Sequence, residues 1–174
     1  MVVPFVFAFA ACGGDDDETL PTGATAAGFR FLESGVAEGA AVDRRFTCDG
    51  EDVSPALAWE GVPEGTAELA LVVEDPDAPG GTFTHWLVYG LDPGETQLLE
   101  GGEPAALQGT NDFGAVGYGG PCPPAGETHR YVFRLLALDA ETGLEEGASR
   151  DDLLAAVEGH VVAETQLTAT YARQ

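Results

Sequence analysis

Residues 69–91 read LALVVEDPDAPGGTFTHWLVYGL, which is two apolar runs separated by a loop rich in Pro and Gly. The runs, residues 69–74 and 86–91, have the length of buried strands and are bounded by turn-forming residues. Residues 131–138 form a third run of this kind. Weaker runs favour further strands at residues 29–32 and 167–171. The pattern predicts a mainly β protein.

One helix is indicated near the end of the chain. Ser149 followed by Asp152 is a capping-box-like start, with acidic side chains at the positive end of the helix dipole. Apolar residues then recur at helical spacing at Leu153, Leu154 and Val157, and Gly159 is a natural C-terminal stop. Few helices among many strands indicate an antiparallel β-sandwich with a few peripheral helices. The length of 174 residues suits one such domain, which we place at residues 29–174.

The charge of the chain is strongly negative. Thirty Asp and Glu residues face seven Arg and no Lys, so the formal net charge is −23. Such a surface repels phosphate backbones and anionic headgroups, which makes nucleic acid a poor partner. The simplest interpretation of the charge is solubility, and a specific cationic partner is the alternative. An anionic ligand requires a pocket that supplies its own hydrogen-bond donors.

The N-terminal segment has the features of an export signal. Residues 2–11 form an apolar run that is too short to cross a bilayer as a helix but has the length of a signal-peptide core. Phe9-Ala10-Ala11-Cys12 resembles a bacterial lipobox, in which the Cys is lipidated. We therefore predict that residues 1–12 are a signal and lipobox segment of an extracytoplasmic, cell-envelope lipoprotein with lipid on Cys12. The alternatives are a cleaved signal, which gives a secreted or periplasmic protein, and a fortuitous apolar start.

The segment after Cys12 and the two other cysteines have separate interpretations. Residues 13–28 carry Gly, Asp, Thr and Ala with little to bury, so we predict a flexible acidic tether.

If Cys12 is lipidated, Cys48 and Cys122 remain as an even pair, which favours a disulfide in an oxidising compartment. The alternative is two free thiols that act as small buried hydrophobic side chains.

The candidate site begins where the first apolar run ends. In Asp75-Pro76-Asp77-Ala78-Pro79, the two prolines stiffen the backbone, so both carboxylates leave the predicted sheet in fixed positions. His85 opens the next strand, and a chain that turns back between the strands brings this histidine beside the carboxylates. The other interpretation is a simple turn in which Asp accepts local backbone hydrogen bonds.

The second half of the site comes from His129-Arg130-Tyr131, at the start of the third run. Alternation along a strand puts His129 and Tyr131 on one face and Arg130 on the other, where we expect an acidic neighbour. Imidazolium and phenol groups donate to an oxyanion, and a nearby Asp raises the pKa of an imidazole by its opposite charge. A lone histidine at a strand start is more often structural, so the hypothesis depends on both histidines together.

These residues belong to a longer series of motifs. From about Phe46 to the C-terminus, the chain resembles the phosphatidylethanolamine-binding protein family, in its bacterial and archaeal Raf-kinase-inhibitor-like branch. The matching segments, in order, are Phe46-Thr47-Cys48-Asp49-Gly50, Val53-Ser54-Pro55, Asp75-Pro76-Asp77-Ala78-Pro79, His85-Trp86, Asn111-Asp112-Phe113-Gly114, residues 119–124, His129-Arg130-Tyr131, Gly159-His160 and Thr170-Tyr171.

The resemblance implies an antiparallel β-sandwich with a small cavity at one end that holds anions such as phosphate-like groups. Carried over by position, the residues lining this cavity are Asp75, Asp77, His85, His129 and Tyr131, with Cys122 and Pro123 in a loop at its rim. His160 also matches a family position, and we expect a structural role for it.

The sequence therefore predicts an exported, membrane-tethered protein that binds a small anionic ligand and contacts the membrane only through lipid on Cys12. We expect no catalysis, no cofactor and no bound metal. The alternative is an inhibitor or interaction protein acting on an envelope enzyme, since family members include inhibitors of kinases and of a serine carboxypeptidase. A metal-dependent hydrolase is the weakest hypothesis, because His-Glu-x-x-His and Gly-x-Ser-x-Gly motifs are absent.

Overall fold

A computed structural model describes Gly23 and residues 26–174 of the chain. The predicted signal and lipobox segment, including Cys12, lies outside the described residues, as does most of the predicted tether. None of the helices in the described part is long and apolar enough to cross a bilayer.

Two antiparallel sheets make up the described fold. In chain order the strands are β1 (Arg30–Leu32), β2 (Leu57–Glu60), β3 (Glu68–Asp75), β4 (Phe83–Leu91), β5 (Gln97–Leu98), β6 (Leu107–Gln108), β7 (Thr128–Leu138) and β8 (Val161–Ala172). The larger sheet has the order β6-β4-β3-β7-β8, and the smaller has the order β1-β2-β5. A short 3-10 helix spans Arg44–Phe46, and the helix α1 (Arg150–Val157) precedes β8. The prediction of a mainly β fold with a helix near the C-terminus is confirmed.

The strand β3 is buried along its whole length because both faces of the sheet are covered. Leu71 and Val73 pack in one apolar cluster with Trp59 from the smaller sheet. Ala70 and Val72 belong to a second cluster, which includes the apolar side chains of α1. A strand covered on both faces is apolar at consecutive positions rather than at alternate ones, which explains the continuous run in the sequence.

The C-terminal helix forms as its end signals predict. The Ser149 side chain accepts from the backbone N–H of Asp152, whose side chain accepts in return from the Ser149 backbone, so the capping box is complete. Three apolar side chains of α1 are buried against the larger sheet. Gly159, just beyond the helix, has a φ of 78°, which is the left-handed conformation that favours glycine after a helix.

The pairing of the long strands brings four chain segments to one end of the larger sheet. β3 pairs antiparallel with β4 on one side and with β7 on the other. The last residue of β3, Asp75, therefore lies at the same end as the first residues of β4 and β7. β8 is antiparallel to β7, with Tyr171 opposite His129, so the C-terminal end of β8 also arrives there.

Candidate functional site

A cavity of about 280 Å³ opens at this end of the larger sheet. Its polar lining side chains are those of Asp75, His85, His129 and Arg173. The other lining residues are Ala78, Pro79, Phe83, Phe113, Cys122, Pro123 and Pro124. The strand ends thus combine a few ionisable groups with walls that are largely apolar.

His129 is held between two carboxylates. Its Nδ1 lies 2.7 Å from Oδ2 of Asp75, and its Nε2 lies 3.1 Å from Oε2 of Glu127. An ionised carboxylate only accepts hydrogen bonds, so both ring nitrogens carry hydrogen in this arrangement. Burial by itself lowers the pKa of His129, but the hydrogen bonds to Asp75 and Glu127 outweigh burial and the pKa is raised. The geometry therefore favours the imidazolium.

Asp75 is oriented by the loop that follows it. Its Oδ1 accepts from the backbone N–H of Asp77 at 2.8 Å, while Oδ2 is left for His129. The carboxylate is buried together with the ring that it contacts. The Asp-Pro-Asp segment is thus a local turn, as the simpler interpretation of the sequence has it, and it also positions a buried carboxylate at the cavity.

Asp77 was predicted to line the cavity, but the structure places its carboxylate outside it. Asp77 accepts from the Arg130 side chain through both oxygens, at 2.6 and 2.9 Å, and from the Arg130 backbone N–H at 2.9 Å. The side-chain hydrogen bond from Arg130 lowers the pKa of Asp77 to about 2. The reason is strand alternation, which turns Arg130 away from the face that carries His129 and gives Asp77 a partner there.

A hydrogen bond to the backbone fixes which ring nitrogen of His85 carries the hydrogen. Its Nδ1 lies 2.6 Å from the carbonyl oxygen of Gly119, and a carbonyl only accepts, so Nδ1 carries the hydrogen. Burial lowers the pKa of His85 and thus favours the neutral ring. Nε2 then has an open lone pair and makes no hydrogen bond with any described residue. His85 and His129 therefore line the same cavity with pKa values shifted in opposite directions.

Arg173 is a lining residue that the sequence did not reveal. It lies just beyond β8, and its Nε donates to Oδ1 of Asp49 at 3.2 Å. Its two terminal Nη groups make no hydrogen bond with the described residues. The signal that could have found it is pairing: a strand that ends beside His129 delivers the residue after it to the same edge.

The aromatic wall was also missed. Phe83, Phe113 and His85 pack with ring centroids 4.7 to 5.5 Å apart. Asn111 positions the Phe113 loop, because its Oδ1 accepts from the backbone N–H groups of Phe113 and Ala115. In the sequence, the Asn111-to-Gly114 motif served only as evidence for the family resemblance. In the structure it shapes the cavity mouth, where Phe113 is 52 % exposed.

A disulfide between Cys48 and Cys122 fixes the rim of the cavity. The loop is tied again where the backbone N–H of Gly120 donates to Oδ1 of Asp52. A side chain at Gly120 has no space, since an added Cβ meets the carbonyl oxygen of Phe46 at 2.2 Å. The Gly- and Pro-rich segment is thus fastened to residues 46–52. Cys122 and Pro123 both line the cavity.

Tyr131 and His160 lie away from the cavity lining. Tyr131 is fully buried, with its ring edge-on to His85 at a centroid distance of 5.2 Å. Burial, with the nearby charge of Asp75, raises the pKa of Tyr131. Tyr131 therefore packs against the His85 ring and is not among the residues that line the cavity. His160 is exposed and bonds Asp139 at 2.8 Å, beside the turn into β8.

The described residues contain no group of three or more His, Cys, Asp or Glu side chains arranged to hold a metal ion. Two carboxylates and two histidines do lie near each other, but Asp75 and Glu127 are both directed at His129, while His85 faces a carbonyl.

Sequence comparison finds known proteins that match most of this chain. The family model described as phosphatidylethanolamine-binding protein matches residues 33–172. The chain is 49 % identical over 138 residues to a UPF0098 protein of Methanothermobacter thermautotrophicus, covering 76 % of this chain and 91 % of that protein. It is 47 % identical over 142 residues to a UPF0098 protein of Aquifex aeolicus, covering 78 % and 83 % respectively.

Solved structures agree with the sequence comparison. The crystal structure of a phosphatidylethanolamine-binding protein homolog, CT736 of Chlamydia trachomatis, has a TM-score of 0.81 at 36 % identity and covers 86 % of this chain and 100 % of that one. The structure of E. coli YbcL, described as a new member of the mammalian family, has a TM-score of 0.79 at 32 % identity, with coverages of 84 % and 99 %. The chain belongs to the phosphatidylethanolamine-binding protein family.

Proposed function

We propose that the chain binds a small oxyanion of the phosphate or phosphate-headgroup type in this cavity. The observation that carries the proposal is that His129, whose ring lies between two carboxylates, and Arg173 line one cavity. The chain as a whole has a net charge of −23 and only seven Arg with no Lys. These two side chains bring charged N–H donors to one point of a chain that otherwise repels anions.

The donors suit an oxyanion in number and type. The Nη groups of Arg173 are uncommitted among the described residues, and a guanidinium binds phosphate or carboxylate through two parallel N–H donors. Asp49 holds Nε of Arg173 and so fixes the direction of the fork. His85 has an open Nε2, which becomes a further donor if the ring takes up a proton as the anion binds.

The walls favour tight contact with a small ligand. Phe83, Phe113 and the prolines exclude water from part of the cavity, which strengthens charge-assisted hydrogen bonds inside it. Since a water molecule takes about 30 Å³ in the liquid, the cavity is large enough for a phosphate group and a small substituent. An apolar surround with a few convergent polar groups is typical of small-molecule sites.

Binding rather than catalysis is the activity that we propose. The lining residues include neither Ser nor Thr, and the sulfur of Cys122 is bonded to that of Cys48. A hydroxyl or thiol nucleophile needs a general base beside it, and the lining side chains supply no such pair.

We further propose that the protein is exported and anchored in the membrane through lipid on Cys12, from the lipobox-like residues 9–12. The Cys48–Cys122 disulfide supports an oxidising compartment. Metabolic labelling with a fatty acid tests the anchor. Label should enter the wild-type protein but not Cys12→Ser, and equal label in both would refute the anchor.

Thermal unfolding with added anions tests the binding function. Inorganic phosphate and soluble phosphoethanolamine should each raise the Tm of the wild type, because a ligand at 100 times its Kd stabilises by about 2.7 kcal/mol. The rise should be largely lost in Arg173→Gln. Arg44→Gln is the matched control, since Arg44 lines a different cavity and makes no ion pair among the described residues.

The two probes distinguish the two sources of the anion. A response to both indicates a general phosphate site, and a response to phosphoethanolamine alone indicates a headgroup site. The proposal fails if neither probe changes the Tm, or if the response is unchanged in Arg173→Gln.

A further inference from the structure

The side chain of Glu127 covers the outer nitrogen of a buried histidine. Its Oε2 lies 3.1 Å from Nε2 of His129. The His129 side chain is only 4 % exposed, whereas that of Glu127 is 55 % exposed. The carboxylate therefore reaches inward from solvent to a ring that is otherwise enclosed.

Nε2 is the only ring nitrogen of His129 that is able to donate a hydrogen bond to a ligand. The other nitrogen, Nδ1, is bound to the buried carboxylate of Asp75 at 2.7 Å. An oxyanion that accepts from His129 must therefore accept from Nε2, which is the position that Glu127 holds.

Glu127 is free to leave without disturbing the fold. Its backbone is fixed, because its N–H donates to the carbonyl of Pro124 and its own carbonyl accepts from the N–H of Arg173. Its carboxylate makes no other hydrogen bond or ion pair with the described residues. Since more than half of the Glu127 side chain is already in solvent, rotation of that side chain alone releases Nε2 and breaks no other described contact.

We propose that Glu127 is a built-in competitor for the ligand: its carboxylate holds the Nε2 hydrogen of His129 in the empty protein and is displaced when an oxyanion binds. This inference rests on the proposed anion site. Competition lowers the affinity for every anion by the same factor, because the carboxylate must leave before any of them binds.

Calorimetric titration with inorganic phosphate at about pH 6, where histidine protonation is favoured, tests the competitor. Glu127→Gln should bind phosphate about five- to tenfold more tightly, because a like charge is removed and a charged donor is released.

Two controls separate the contact from the overall charge. Glu127→Asp keeps the charge but withdraws the carboxylate from Nε2, so it should bind phosphate more tightly than the wild type and less tightly than Glu127→Gln. Glu51→Gln removes one carboxylate from an exposed position in the loop tied to the cavity rim, and it should stay within about twofold of the wild type.

The outcomes distinguish the competitor from the site itself. If the wild type binds phosphate and Glu127→Gln binds it equally or more weakly, the competitor is refuted and the proposed function stands. If Glu51→Gln gains as much affinity as Glu127→Gln, the effect is general charge and the competitor is again refuted. If no variant binds phosphate, both the site and its competitor are refuted.

Discussion

Nδ1 of His129 lies 2.7 Å from Oδ2 of Asp75, although the two residues are 54 positions apart in the chain. Both side chains are buried, with exposed fractions of 4 % for His129 and 5 % for Asp75. Antiparallel pairing of β3 and β7 brings them together at one end of the larger sheet. This contact fixes the direction and the charge of the histidine on which the proposed anion site depends.

The pKa values of the two buried histidines should be shifted in opposite directions from the ordinary value of 6.5. Burial lowers the pKa of His85, whereas for His129 the carboxylates of Asp75 and Glu127 outweigh burial and raise it. Side-chain NMR should therefore show His129 still protonated at a pH where His85 is neutral. Simultaneous titration of the two rings would contradict the charge states assigned to the cavity.

These shifts also predict how stability depends on pH. The contribution of His129 is complete below its unfolded pKa, about 6.5, and is lost as pH rises through its raised folded pKa. The contribution of His85 is complete above 6.5 and is lost as pH falls toward its lowered folded pKa. In His85→Gln, the Tm should fall less on acidification than it does in the wild type, and an unchanged acid limb would contradict this assignment.

Replacement of Asp75 should damage both the fold and the charge of His129. Asp75→Asn removes the buried carboxylate, so the pKa of His129 should fall and unfolding should become easier by about 1–3 kcal/mol. Chemical denaturation and histidine NMR measure the two effects. Asp77→Asn is the matched control, because its exposed ion pair with Arg130 is worth about 0–1 kcal/mol. Equal losses in both variants would contradict the assigned roles.

Loss of the disulfide should destabilise the protein and loosen the cavity rim. The bond closes a loop with a sequence separation of 74, and removal of a native disulfide costs about 2–5 kcal/mol. The double variant Cys48→Ser, Cys122→Ser should lose that free energy in denaturant titration and bind phosphate more weakly, since Cys122 lines the cavity. Unchanged stability and affinity would contradict this prediction and would show that contacts other than the disulfide hold the rim.

The sequence predicted the long strands and the helix because their signals are local. Residues 69–74 and 131–138 are apolar runs long enough to be recognised alone, and Ser149 marks a helix start by its own chemistry. β5 and β6 have two residues each, which is too short to show the alternation of apolar and polar residues that marks a strand. β2 has four residues and alternates only briefly between buried and less buried positions.

The candidate site was predicted in part for the same physical reason. His85, His129 and Asp75 stand at strand entrances and exits, where chemistry and position are both visible in the sequence. Strand alternation predicted an acidic neighbour for Arg130, but the identity of that neighbour, Asp77, depends on which face each side chain takes. Arg173 reaches the cavity only through the pairing of β8 with β7. Such long-range contacts are set by register, which a single sequence does not display.

The most direct test is a phosphate titration followed through the histidine side chains by NMR. The chain has three histidines, of which His85 and His129 line the cavity and His160 lies beside Asp139. The ring nitrogens of His85 and His129 should shift together and saturate at one phosphate per chain, while those of His160 stay unchanged. Rings of His85 and His129 that do not respond, or a response of His160 as large as theirs, would contradict an anion site in this cavity.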